Sequence, residues 1–133
     1  MRLVCDTNVL IAGLVADGLC RDIVKRRLPR HELFTSKALL AELNEKLRDK
    51  FGVDPDSVPF IKTYRDRATI IRPAALAASV CRDRDDNEVL AVATAAKATA
   101  IVTGDKDLLT LKTHGGIPIL SPRLFVELLD RVV

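Results

Sequence analysis

Short apolar runs alternate along this chain with longer stretches in which apolar positions recur every three or four residues. That is the rhythm of βα units around a parallel sheet. Arg2 to Cys5 reads as a first strand, followed by Asp6-Thr7-Asn8 and a short apolar helix reaching Leu14. Asp17-Gly18 marks a turn, and a second helix, Cys20 to Leu28, stops at Pro29. Glu32 to Thr35 reads as a short strand, after which Ser36 caps a long amphipathic helix with Leu39, Leu40, Leu43 and Leu47 at helical spacing and Gly52 at its end. Pro55 to Arg67 is expected to be helical and Ala68 to Ile71 extended, and Pro73 opens a connection running to Arg84. Asp85 or Asp86 then caps an Ala-rich helix that reaches Lys97. Ala100 to Thr103 is a strand and Gly104-Asp105-Lys106-Asp107 the turn after it; Gly115-Gly116 turns into another strand, Ile117 to Leu120, and Ser121-Pro122 opens the final helix. About five strands result, with helices between them and no internal repeat.

Composition narrows the class. A chain of 133 residues, 48% hydrophobic and 29% charged, is expected to be a single globular domain spanning 1–133, which excludes collagen, coiled coil and disorder. A chain of this size buries roughly two thirds of its unfolded surface, so any metal would serve chemistry and not folding. Cys5, Cys20 and Cys81 are odd in number and lack CxxC spacing, which makes them reduced packing residues and excludes a secreted disulfide scaffold. With no secretory signal pattern and no apolar run near the roughly 18 residues of a membrane span, the expected location is cytoplasmic, with no membrane contact. The net charge of +3 permits a polyanionic partner without demanding one. With no Trp, one Tyr and four Phe, the chain lacks the aromatic platform on which generic single-strand binders stack bases, so nucleic acid, if it is the substrate, would be held mainly through its phosphates.

The candidate chemistry lies in where carboxylates fall on this scaffold. Sites in open α/β sheets form outside the carboxyl ends of the strands, and Asp6 and Asp105 each come just after an apolar strand. Asp86 stands at a helix mouth upstream of the strand leading to Asp105, and Glu42 lies in the helix after the second strand. Each has a plain structural explanation when taken singly. Asp85, Asp86 and Glu88 suit a helix N-terminus, Asp105 and Asp107 suit a turn, and Glu42 suits a solvated helix face. Asp6 is harder to explain so, because an acid following a buried strand is costly unless it is used. One shared site accounts for all four more simply than four coincidences do. Oxygen ligands without His or Cys suit hard cations such as Mg2+ or Mn2+, which support displacement at phosphorus.

Four segments taken in order carry a resemblance: Asp6-Thr7-Asn8-Val9-Leu10-Ile11; Ser36 to Glu42; Asp83-Arg84-Asp85-Asp86-Asn87-Glu88-Val89-Leu90; and Val102-Thr103-Gly104-Asp105-Lys106-Asp107-Leu108-Leu109. The chain resembles PIN-domain proteins, and more narrowly the bacterial PIN-family toxins of toxin-antitoxin systems, over nearly its whole length. The resemblance implies a three-layer α/β/α sandwich with a central, mostly parallel sheet, its first strand interior with Leu3 and Val4 fully covered. It also implies a Mg2+- or Mn2+-dependent endoribonuclease cutting single-stranded RNA. Carried over by position, Asp6, Glu42, Asp86 and Asp105 match the acidic ligand set, while Thr7, Asn8 and Thr103 match its polar supports. Asp107 is a further outer acid, and Asp83 and Asp85 compete with Asp86 for the third position. The resemblance further implies a cognate antitoxin protein and a homodimer.

Other classes fit less well. A haloacid-type phosphatase needs a second Asp where Asn8 stands, and a receiver domain needs an acid where Arg72 follows the strand ending at Ile71. His31 and His114 are isolated surface residues with no nucleophile nearby in sequence, and no Lys-Ser/Thr pair follows Gly115-Gly116 to make a phosphate loop. Arg21, Lys25 and Arg26, on the second predicted helix, are the first candidates for RNA phosphate contacts, against the usual role of such a run as a solvated face. Two readings stand at this point: a metal-dependent ribonuclease, and a catalytically silent PIN-like RNA-binding or scaffold module. The acid set favours the first, since carboxylates clustered near phosphates repel them unless a cation intervenes.

Overall fold

The computed structural model describes residues 1–74 and 81–131, so part of the connection from Pro73 to Arg84 lies outside the described residues. Among the described residues the sheet has six strands: β1 (Arg2–Cys5), β2 (Glu32–Thr35), β3 (Thr69–Ile70), β4 (Ala100–Val102), β5 (Thr113–His114) and β6 (Ile117–Leu120). Their spatial order is β3-β2-β1-β4-β6-β5. All neighbours run parallel except the β5–β6 pair. β1 is interior as expected, held by β2 on one side and β4 on the other, and Leu3 and Val4 are fully buried.

The alternation of side chains along these strands builds a core on each face. Leu3, Cys5, Ala100 and Val102 pack with Leu10, Ile23, Leu43, Leu47, Ile61 and Phe125. Val4, Phe34 and Ile101 point the other way, onto Val89, Leu90, Ala93 and Leu108. Helices therefore cover both faces, which makes the three layers. On the first face lie α1 (Thr7–Val15), α2 (Leu19–Asp22), α3 (Lys37–Phe51), α4 (Pro59–Arg67) and α7 (Pro122–Arg131); on the second lie α5 (Arg84–Ala96) and α6 (Lys106–Leu111). Ser36 Oγ accepts from the Leu39 amide at 3.2 Å, and Gly52 closes α3 at φ +61°, a left-handed position glycine takes at little cost. Among the described residues no helix is long and apolar enough to cross a membrane.

Several local expectations are corrected. α2 runs on through a π-helical turn at Ile23–Arg27 and a 3-10 turn at Leu28–Arg30, so the second helix changes winding before Pro29. Asp83, not Asp85 or Asp86, caps α5, its carboxylate accepting from the Asp85 amide at 2.8 Å. The strand expected from Ala68 to Ile71 is paired only at Thr69–Ile70. The segment after Gly104 continues into α6, because Asp105 caps a helix in place of closing a turn. The sixth strand, β5, reaches β6 through a turn in which Gly115 and Gly116 have φ of +56° and +80°. Both histidines are half-buried and not fully at the surface; His31 meets the N-terminal amine at 3.1 Å and the edge of Phe125.

Candidate active site

The site grows from the ends of β1 and β4. Past Cys5, the Asp6 amide still donates to the Val102 carbonyl at 2.8 Å, so the backbone of Asp6 is fixed by the sheet while its side chain leaves the strand. Asp6 caps α1 through an accepted bond from the Asn8 amide at 3.5 Å. Its other oxygen accepts from Thr103 Oγ1 at 2.6 Å, a short bond of the kind an ionised acceptor makes. Thr103, fully buried, is held in turn by its own amide donating to Leu120 of β6 at 3.0 Å. The same hydroxyl accepts from the Asp105 amide at 3.0 Å. One threonine thus joins the acid after β1 to the acid after β4.

Asp105 is half-buried at the start of α6, accepting from the amides of Asp107 at 2.8 Å and Leu108 at 3.3 Å. Asp86, from the first turn of α5, is buried, and its Oδ2 has no hydrogen-bond partner among the described residues. Ligand oxygens of Asp86, Asp105 and Asp107 all lie within 4.8 Å of one another, a spacing that fits one hard cation. Asp83 and Asp85, the competing acids, are exposed. Asp107, expected only at the margin, falls inside the close group; it is exposed and also meets Arg82 at 3.4 Å.

Electrostatics mark the same place. Burial, followed by repulsion from Asp105, Asp83, Asp6 and Asp107, pushes the Asp86 carboxyl up to about 7. Burial also raises Asp6 above the ordinary carboxylate range, partly offset by the bonds from Thr103 and Asn8 and by the charge of Lys46. Glu42 is raised by burial too, and feels Asp85 and Asp6; its Oε1 meets Lys46 Nζ at 2.8 Å while its buried Oε2 has no hydrogen-bond partner among the described residues. Lys46 also donates to Asn8 Oδ1 at 3.2 Å, so it ties α3 to the start of α1. Sequence reasoning missed Lys46, whose one signal was its position four residues after Glu42.

Glu42 thus feels the charge of Asp6, although among the described residues the tight oxygen group is Asp86, Asp105 and Asp107. Thr7 is buried at the head of α1 and Asn8 is exposed beside it. Ser36, besides capping α3, donates to Glu88 at 2.8 Å and so ties the end of β2 to α5. A pocket of about 360 Å³ opens beside Asp105, lined by Asn8, Val9, Ala12, Cys20, Gly104, Lys106 and Pro122. Arg21, Lys25 and Arg26 are not part of that lining. Arg21 is paired with Asp17 and Arg26 with Asp22, while Lys25 is exposed.

The unpaired oxygens of Asp86 and Glu42 are what a bound cation would satisfy, since a buried carboxylate oxygen without a partner is costly. Comparison with known proteins points the same way. A family model described as the PIN domain matches residues 2–107. An uncharacterized protein of the archaeon Methanocaldococcus jannaschii is 29% identical over an alignment of 148 positions that covers all of this chain and 94% of the relative.

Proposed function

This chain belongs to the PIN domain family, and from that premise we propose that it is a divalent-metal-dependent endoribonuclease that hydrolyses phosphodiester bonds of single-stranded RNA. PIN domains are generally nucleases that use divalent metals, and the acids gathered here form a cluster that suits one. The observation that carries the reading is the buried, unpartnered Asp86 carboxylate within 4.8 Å of oxygens from Asp105 and Asp107. Such a group is unfavourable in isolation and fits a cation contributed at the moment of use.

In this reading Asp6, Glu42, Asp86 and Asp105 are the catalytic and metal-holding acids, with Asp107 joining them. When bound, Mg2+ or Mn2+ supplies a Lewis acid at the scissile phosphate and lowers the pKa of water to make a nucleophile. Thr103 fixes the rotamer of Asp6 and, through the Asp105 amide, the start of α6. Lys46 offsets the charge of Glu42 and Asp6 and places a positive group at the edge of the acids, where an incoming phosphate needs one. Thr7 and Asn8 hold the head of α1, and Asp6 is anchored at that helix cap. Arg21, Lys25 and Arg26 are proposed as outer phosphate contacts.

We assign the whole chain to this one domain, because β6, beyond the matched residues, pairs with β4 inside the same sheet. The resemblance of its four acidic segments to PIN-family toxins supports a toxin role, with a cognate antitoxin that blocks the acids and a homodimeric state. Three free cysteines suit a reducing compartment, the cytoplasm. The test is cleavage of single-stranded RNA by the purified protein. Activity should vanish in EDTA, return with Mg2+ or Mn2+, and fall at least about 100-fold in Asp6→Asn, the scale seen when a key electrostatic element is removed. Equal cleavage in EDTA, or RNA binding without cleavage under any metal, contradicts it.

A further inference from the structure

Beside the acids, a second and different surface opens between α1 and α3. It is a groove of about 290 Å³ lined by Ile11, Ala12, Val15, Ala16 and Phe51, with Asn8, Lys46 and Lys50 at its edge. Val15 and Phe51 are 43% and 47% exposed, and Phe51 is the one aromatic residue of the chain that is exposed at all fully, the others being buried or half-buried. Two links make the groove continuous with the site. Asn8 and Ala12 line both this groove and the pocket beside Asp105. Lys46 lines it while touching Glu42.

We infer that this groove is a nucleobase subsite for a nucleotide flanking the cut phosphate, with Phe51 as its stacking face and Lys50 on the adjoining phosphate. The inference rests on the nuclease reading above and adds to it the part of the substrate that the acids do not touch. Its size is at the small end of ligand pockets, and its apolar floor with a cationic edge matches a base attached to a charged backbone. Lys46 and Lys50 also stand between this floor and an acidic groove of Glu42, Glu45, Asp49 and Asp85, so they shield a phosphate from those carboxylates. Lys50 is exposed and makes no ion pair with any described residue, which leaves its ammonium open to a phosphate. The shortage of aromatics, which excludes stacking along a whole strand, leaves room for one stacked base.

The test uses a fluorescein-labelled ten-nucleotide single-stranded RNA and versions with one abasic position each, bound in EDTA and followed by anisotropy. Wild-type protein should lose about tenfold in affinity at one abasic position, the scale of a single base–aromatic stack. Phe51→Ala should bind the intact RNA about tenfold more weakly and no longer discriminate that position, while Phe51→Tyr should behave as wild type. Lys50→Ala should reduce the slope of log affinity against log salt by about 0.7. An unchanged abasic profile in Phe51→Ala overturns the subsite, as does a shift from dimer to monomer in light scattering with RNA binding unaltered, which would make the groove a protein interface. Because binding is read without metal, loss of the nuclease reading shows separately, as an intact Phe51 effect with no cleavage in Mg2+ or Mn2+.

Discussion

Thr103 donates its hydroxyl proton to Asp6 at 2.6 Å while accepting from the Asp105 amide at 3.0 Å, so one buried side chain sets the distance between the acids that follow β1 and β4. A hydroxyl has one proton to give, and here the Asp105 amide occupies its acceptor side, which commits that proton to Asp6. Thr103→Val keeps the shape and removes both bonds. It should cost about 1–3 kcal/mol, the penalty for stranding a buried carboxylate, and raise the Asp6 carboxyl further, because the Thr103 bond lowers it now. Thr103→Ser should recover most of the loss. Urea melts of the three proteins at pH 7 check this; a Val variant as stable as wild type contradicts it.

Packing near the site predicts an unusual glycine. Gly13 is buried within α1, where alanine would ordinarily be favoured, yet a Cβ there would lie 2.7 Å from the Cys20 carbonyl and 2.5 Å from Val24. The carbonyl belongs to α2 and cannot rotate away. Gly13→Ala should therefore destabilise the protein by about 1–3 kcal/mol as an overpacked contact, against the usual gain of roughly 0.5–1 kcal/mol. Thermal melting gives the sign directly.

The Asp86 carboxyl gives stability a pH dependence with a definite sign. Its folded value of about 7 stands above the ordinary carboxylate value of 3.8. Between those values the unfolded chain loses the proton while the folded chain keeps it, so metal-free stability is full below about pH 4 for this group and falls as pH rises to 7. Burial raises Asp6 and Glu42 in the same sense. Asp86→Asn should flatten that decline and raise stability at pH 8 by at least about 1 kcal/mol. Mn2+ should stabilise wild type more at pH 8 than at pH 5, because the cation and the proton compete for the same oxygens. Melting scans at both pH values, with and without Mn2+, read both effects; wild-type stability that rises from pH 5 to 8 without metal, or a fall in Asp86→Asn as steep as in wild type, contradicts this.

The fold was legible where sequence signals were redundant. β1 and β2 match their apolar runs, and α3 shows a cap at Ser36, a stripe of four leucines and a left-handed stop at Gly52. α6 escaped because the bonds from Asp105 to the Asp107 and Leu108 amides are those of a turn residue as well as of a helix cap, and six residues carry too little periodicity to separate the two. β5 is two residues long and exists through its antiparallel partner. Placement of Asp6 and Asp105 at strand ends was readable from the order of elements. Among Asp83, Asp85 and Asp86 the helical spacing of Val89, Leu90 and Ala93 favours Asp86, and Asp86 is the buried one; the extent of that burial is a tertiary property that spacing does not carry. Lys46 was hidden for a similar reason: its bond to Asn8 crosses between helices, while its spacing from Glu42 reads as an ordinary surface pair.

In the nuclease reading the clustered acids sacrifice stability for hydrolysis, and Asp86→Asn separates the two. The rate at which this variant cleaves single-stranded RNA in Mn2+ is compared with that of wild type under conditions where both are folded. We expect a loss of at least about 100-fold in a protein that melts at a higher temperature than wild type without metal. Cleavage at the wild-type rate by Asp86→Asn would contradict it.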